Sequence, residues 1–337
     1  MKRVLEESGI ARMERLGAVS DRIFAAFPPT LHSLKFDSLV KCTRILRNPV
    51  TPPLGTANLD WYGNWTKRWS GAESDLFYVF VKHFHILVTE FLPSEPTSVE
   101  RVCVPGLVIV HAQILANLDA TVNRHASPQQ SDEAMGGAAS ITFDDVLADP
   151  DAQASTLPMP PANATRQMAE NRLIMLIRDF LSERNHNIAS ARRMFAVGFG
   201  CLLKAAARRV PIYDNSACYT LCDFLEEAFV ILVRYEQLDN SQYSALDWPF
   251  WLSVCKQMTA SQNTATEIKL FAFLYSTWST VASDEGRKKS LCLDFLLEPE
   301  FFESRFNHWC PMVRAYFMRL LCWRVARFDN IESDVEM

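Results

Sequence analysis

The segment Pro299–Asp329 ends in a helix whose apolar residues form no single stripe, and that limits the fold more than any other feature. Pro311 suits a first helical turn, where a missing N–H costs nothing. From Pro311 to Phe328 such a helix would be about 27 Å long. Met312, Tyr316 and Trp323 share one side, and Val313, Phe317 and Leu320 the next. Met318, Leu321 and Val325 lie on the far side. A helix that is apolar nearly all round is expected to be buried nearly all round. Arg314, Arg319, Arg324 and Arg327 point in different directions with no acid among them. Buried guanidinium groups need carboxylates or helix-end carbonyls from elsewhere. The rest of the chain must therefore enclose this segment and neutralise it.

Composition narrows the means. The 337 residues can bury a large core, as one elongated domain or two compact ones. Glycine is scarce and short Gly-bounded strands are missing, which argues against a β-rich fold. A net charge of −5 leaves no basic footprint for nucleic acid and no strong drive toward anionic lipid. Nine cysteines sit within apolar helical stretches, as small buried hydrophobes, so a reducing compartment is the natural reading. The N-terminus lacks the apolar region of a signal peptide, which leaves the sequons at Asn64 and Asn163 idle. Leu76–Leu92 and Val102–Leu118 are interrupted by Lys82, Glu90, Pro105 and three histidines, so both read as core helices and not as membrane spans.

Breakers and caps divide the chain into ten to twelve helices. The first runs from Val4 to Phe27, ended by Pro28 and Pro29, and the second from Leu31 to Leu46. Beyond a Pro-rich connector, Trp61, Trp65 and Trp69 recur every four residues and share a helical face. Large rings at that spacing anchor a helix against its neighbour; an aromatic ligand platform is the alternative. Ser70–Leu92 and Thr97–Arg124 follow, the latter broken near Pro105. Residues 125–166 are too poor in apolar mass to fold alone and read as one long disordered loop. Its ITFDDVLAD stretch reads as an acidic solvated piece, with a docking motif as the alternative. The second block holds helices at Asn171–Glu183, Ile188–Arg208, Asn215–Tyr235, Asp247–Met258, Ala265–Ala282 and Arg287–Leu297, before the Pro311 helix. Asn215 or Ser216 caps the third of these and Asp247 the fourth. Gly198 and Gly200 suggest a close helix–helix approach.

Short links make successive helices antiparallel neighbours. The fold class expected is all-α: an irregular α-solenoid of HEAT- or armadillo-like hairpins, interrupted by the long loop, with a compact helical bundle as the rival. No sequence repeat supports the periodicity. The blocks are 1–124, 125–166, 167–328 and a frayed acidic tail, 329–337.

The string FNHWCPMVRAYFMRLLCWRV, Phe306–Val325, resembles the signature segment of the fungal domain of unknown function 1765 family. The resemblance implies large fungal proteins, some catalogued as membrane proteins, with no assigned activity and no catalytic residues to carry over.

Chemistry-bearing groups are sparse. His83 and His85 diverge by about 200° on a helix and cannot chelate one metal. Cys218 and Cys222 share a face but lack two further zinc ligands, so they read as buried thiols. His308 and Cys310 could form a base and nucleophile. The plainer reading has His308 capping a neighbouring helix and Trp309 plugging the core. Asp223, Glu226, Glu227 and Glu236 lie on an otherwise apolar helix and are the expected partners for Arg314, Arg319 and Arg324. No cofactor, metal or nucleic-acid site is expected. The chain reads as a cytoplasmic, non-enzymatic scaffold that binds other proteins. Peripheral membrane association through the first-half helices is the alternative, and an unrecognised enzyme the third reading.

Overall fold

A computed structural model describes residues 1–10, 16–47, 64–71, 74–93, 95–123, 168–182, 184–239 and 244–326. The loop expected at 125–166, Trp61, Arg327 and the acidic tail lie outside the described residues. Every regular element among those described is helical, with no strand.

The first half contains α1 (Lys2–Glu7), α2 (Leu16–Ala26), α3 (Leu39–Arg47), α4 (Asn64–Ser70), α5 (Asp75–Thr89), α6 (Ser98–Val102) and α7 (Leu107–Val122). The expected first helix is thus two. Gly9 stops α1 with a φ of 90°, a backbone open to glycine and strained for other residues. The second predicted helix also splits, into a 3-10 turn at Pro29–Leu34 and α3. Pro105 separates α6 from α7 as expected, and Gly106 enters α7 at φ 79°. Ser74 caps α5 by accepting from the Phe77 N–H at 3.2 Å.

The second half contains α8 (Arg172–Ser182), α9 (Ala189–Ala207), α10 (Asn215–Asp239), α11 (Trp248–Ala260), α12 (Thr264–Ser276) and α13 (Trp278–Val281). After these come α14 (Glu285–Leu291), α15 (Pro299–Phe306) and α16 (Pro311–Leu320). Asp247 caps α11 as expected, accepting from Phe250 N–H at 3.3 Å. For α10 the capping side chain is Asp214, which accepts from Ala217 N–H at 3.0 Å, and not Asn215 or Ser216. Two helices end in π turns, α14 at Cys292–Leu296 and α16 at Leu321–Val325.

Helices α5, α8, α10, α12 and α16 pack in succession, each on the next. Helix α9 lies against α5, α7, α8 and α10, and buries Phe195, Phe199, Leu202 and Leu203 among them. The main core is continuous from Val4 to Leu321 and draws on both halves of the chain. A smaller core gathers Leu5, Ile23, Phe27, Phe36 and Leu107 around α1–α3, α6 and the start of α7. The two glycines of α9 do permit close approach. A Cβ on Gly200 would stand 2.3 Å from the Ala245 carbonyl oxygen, and one on Gly198 2.7 Å from His111 Cε1.

Candidate interaction surface

Helix α5 has two apolar stripes. Phe77, Tyr78, Val81, His85 and Val88 recur at helical spacing and face the core. Leu76, Val79, Phe80 and Leu87 recur on the other side, each half or more exposed, and Phe91 extends the row just past the helix. The reading of Leu76–Leu92 as a core helix therefore holds for one stripe and fails for the other. Trp69 stands in α4, which packs on α5, and is 57% exposed. It is not the core anchor its spacing suggested. Of Trp65 only the backbone is described.

The C-terminal segment departs most from expectation. Helix α16 buries one face, Val313, Phe317 and Leu320, against α12 and α15. Phe317 meets the rings of Phe271, Phe301 and Phe302 at 5.3–6.0 Å. The opposite face is open. Trp323 is 63% exposed, Arg319 is exposed, and Trp309 plugs nothing at 72% exposure. Among the described residues α12 and α15 cover the buried face of α16, and Trp309, Arg319 and Trp323 are left exposed.

The arginines are not paired with the α10 acids. Arg319 and Arg324 lie over the Tyr275 ring at 4.9 and 4.3 Å. Arg324 Nε also donates to the Tyr275 carbonyl at 3.1 Å. Arg314 donates to the carbonyls of His308 at 2.5 Å and Trp309 at 3.5 Å. The acids have other partners. Asp223 bonds Lys269, with Glu226 4.0 Å away. Glu227 bonds Arg178 at 2.8 Å, and Glu236 takes Arg287 and the Leu246 N–H. Lysine 269 lies on α12, between α10 and α16 in the packing order, so it intercepts the carboxylates first.

His308 and Cys310 come near an acid that sequence reasoning missed. Glu267, on α12, is fully buried, 3.0 Å from Arg305 Nη2 and 3.8 Å from His308 Nε2. Burial raises the Glu267 pKa and the Arg305 charge opposes that rise. Burial and the Arg305 charge lower the His308 pKa, so the ring is held neutral. Its Nδ1 accepts the Cys310 backbone N–H at 3.1 Å, which puts the ring proton on Nε2. The Nδ1 lone pair is thus taken by the Cys310 backbone N–H. The bond lies just before α16, whose N-cap residue Cys310 makes no side-chain cap bond. It is made within its own segment, where a cap on a neighbouring helix was expected.

The second missed cluster pairs His85 with His111, Nε2 to Nε2 at 3.3 Å, both buried. His83, two residues away, is exposed, as the helical divergence required. No group of three or more potential metal ligands occurs among the described residues. Cys218 and Cys222 are buried thiols, and burial pushes Cys218 up to about 11.

Residues 199–325 match the model of a family described as Protein of unknown function (DUF1765). A relative in Schizosaccharomyces pombe, named a UPF0592 membrane protein, is 25% identical over 270 residues. The match covers 80% of this chain and 29% of that protein, so this chain spans under a third of its relative's length. No solved structure matches. Among the described residues no helix is long and apolar enough to cross a membrane.

Proposed function

We propose that this member of the DUF1765 family is a non-enzymatic helical interaction protein, an irregular α-solenoid whose outer α5 face receives another protein. The outward stripe of Leu76, Val79, Phe80 and Leu87 beside Trp69 carries this reading. A helix that is apolar on its solvent side is unusual unless something covers it. The succession α5–α8–α10–α12–α16 supports the solenoid, because such arrays are built from neighbour contacts. Nine free thiols, five of them fully buried, suit a cytoplasmic setting. A photo-crosslinker at Leu87 in the native cell tests the role. One discrete protein adduct, lost on Phe80→Glu, is expected. No adduct, or adducts to lipid alone, would overturn it.

A second reading places the same stripe on a membrane surface. It is favoured by the relative's printed name together with the lack of a spanning helix. Liposome flotation of the full chain separates the two. Co-flotation that Phe80→Glu and Leu87→Glu abolish would support this second role, and a chain that never floats removes it.

A further inference from the structure

A cavity of about 120 Å³ opens between α1, α6, α7 and α9, and its lining is mostly apolar. Val102 of α6 and Val197, Gly198 and Cys201 of α9 line it and are only half-buried, so they keep apolar surface outside the packed core. The polar side chains around it are already engaged. Glu7 bonds Arg208 and stands 4.0 Å from Lys204. Ser8 and Ser98 donate to the carbonyls of Leu5 at 2.6 Å and Ser8 at 2.9 Å. Arg101 has a partner as well.

His111 is the exception. It lines the same cavity and is nine-tenths buried. Burial holds both it and His85 neutral. His85 Nδ1 lies 2.7 Å from the Val81 carbonyl and so carries that ring's proton, which leaves a lone pair on its Nε2. His111 Nε2, 3.3 Å away, must then supply the proton between the rings. The other nitrogen of His111, Nδ1, is a bare acceptor. No described residue donates to it, and it is not among the atoms sealed in the core without a partner, so it is open to the cavity. The nitrogen-bearing edge of the ring rests on Gly198, where a Cβ would come within 2.7 Å of Cε1. The bare Cα leaves room for that edge at the cavity wall. We propose that this cavity binds one small neutral molecule with an apolar body and a single hydroxyl, whose O–H donates to His111 Nδ1. The volume is close to the roughly 150 Å³ of an apolar cavity that holds benzene, so the ligand is of phenol size. A molecule with acceptors alone sets lone pair against lone pair. A carboxylate or phosphate would leave water for a mostly apolar wall. Water itself fits poorly, since buried waters make about three hydrogen bonds.

The test is an NMR titration of the full chain, carrying nitrogen-labelled histidine, with phenol, cyclohexanol, anisole and toluene. One-site binding of phenol or cyclohexanol is expected, about tenfold tighter than anisole or toluene, the worth of one hydrogen bond. The tighter of the two hydroxyl compounds names the body as aromatic or aliphatic. The His111 Nδ1 resonance should move as an acceptor that gains a donor, while His85 Nδ1 stays protonated. Val197→Phe should fill the cavity and abolish binding. If that variant does not fold, the ligand series and the resonance still decide. Failure of both hydroxyl compounds to bind, anisole or toluene binding as tightly, or a bound hydroxyl compound that leaves the Nδ1 resonance in place would each overturn the proposal. So would unchanged affinity in a folded Val197→Phe.

Discussion

His85 and His111 are buried as neutral rings, whereas Glu267 is buried beside the partly buried guanidinium of Arg305. The histidines join α5 to α7. His85 Nδ1 donates to the Val81 carbonyl at 2.7 Å, which leaves its Nε2 to accept from the His111 Nε2–H. Phe84, Phe180 and Phe195 surround the His85 ring. Burial lowers the His85 pKa to about 4, with the Val81 bond opposing, and takes His111 to about 3, with His85 adding to the fall. Glu267 and Arg305 join α12 to α15 differently. Their contact at 3.0 Å is close, but neither carboxylate oxygen lies on a well-aimed N–H, and Arg305 Nη2 donates to the Thr259 carbonyl at 3.2 Å. Charge attraction holds this cluster, and directed hydrogen bonds hold the other. A neutral cluster fails when it gains a proton, and a paired one when it loses a partner.

The largest effect should come from breaking the ion pair. Arg305→Met strands Glu267 and should cost about 3–5 kcal/mol in urea denaturation. Glu267→Leu added to it should restore most of that. A single substitution with no measurable cost would mean that the carboxyl is already protonated and the two clusters are alike.

Acid should divide them next. The histidines are neutral in the fold and take up protons more readily when unfolded. Their contribution is intact above pH 6.5 and falls as pH drops toward about 4 for His85 and about 3 for His111. The slope is about 1.4 kcal/mol per pH unit per ring. Glu267 has the opposite sign. Its folded pKa is raised, so the folded state takes up its proton first and acidification relieves the cost of burying it. Urea midpoints from pH 7.5 to 5 should fall in the native chain, and fall less in His85→Phe/His111→Phe. Parallel curves would refute the assignment.

The smallest effect sharpens the geometry of the neutral pair. Gly198→Ala places a methyl 2.7 Å from His111 Cε1. Displacing that ring should cost about 1–3 kcal/mol, read as a lower melting temperature. It should also flatten the acid dependence, which a purely local packing defect would not do.

Local chemistry made the helices legible. Pro105, Pro249 and Pro311, with Asp247 as a cap, marked starts that the fold keeps. Facing was not legible. His111 lies 26 residues from His85, and no local pattern joins them. Lys269 sits in a mostly apolar run with nothing local to mark its partner, yet it takes the Asp223 carboxylate that the last helix was expected to use. A helical wheel of Pro311–Phe328 has many apolar sides, but burial also needs neighbours, and among the described residues α12 and α15 supply most of them. Trp69 failed for the same reason. Aromatic spacing specifies a shared side and not its depth, and Trp69 is 57% exposed.

The π turn at Leu321–Val325 adds a residue to one revolution of the backbone. Side chains five apart then come into line where four would be usual, and so Arg319 and Arg324 can grip one Tyr275 ring from the same flank. Removing a single residue there would wind the helix back to ordinary pitch, swing Arg324 off the phenol, and turn the Trp323 indole toward a new quarter of the surface.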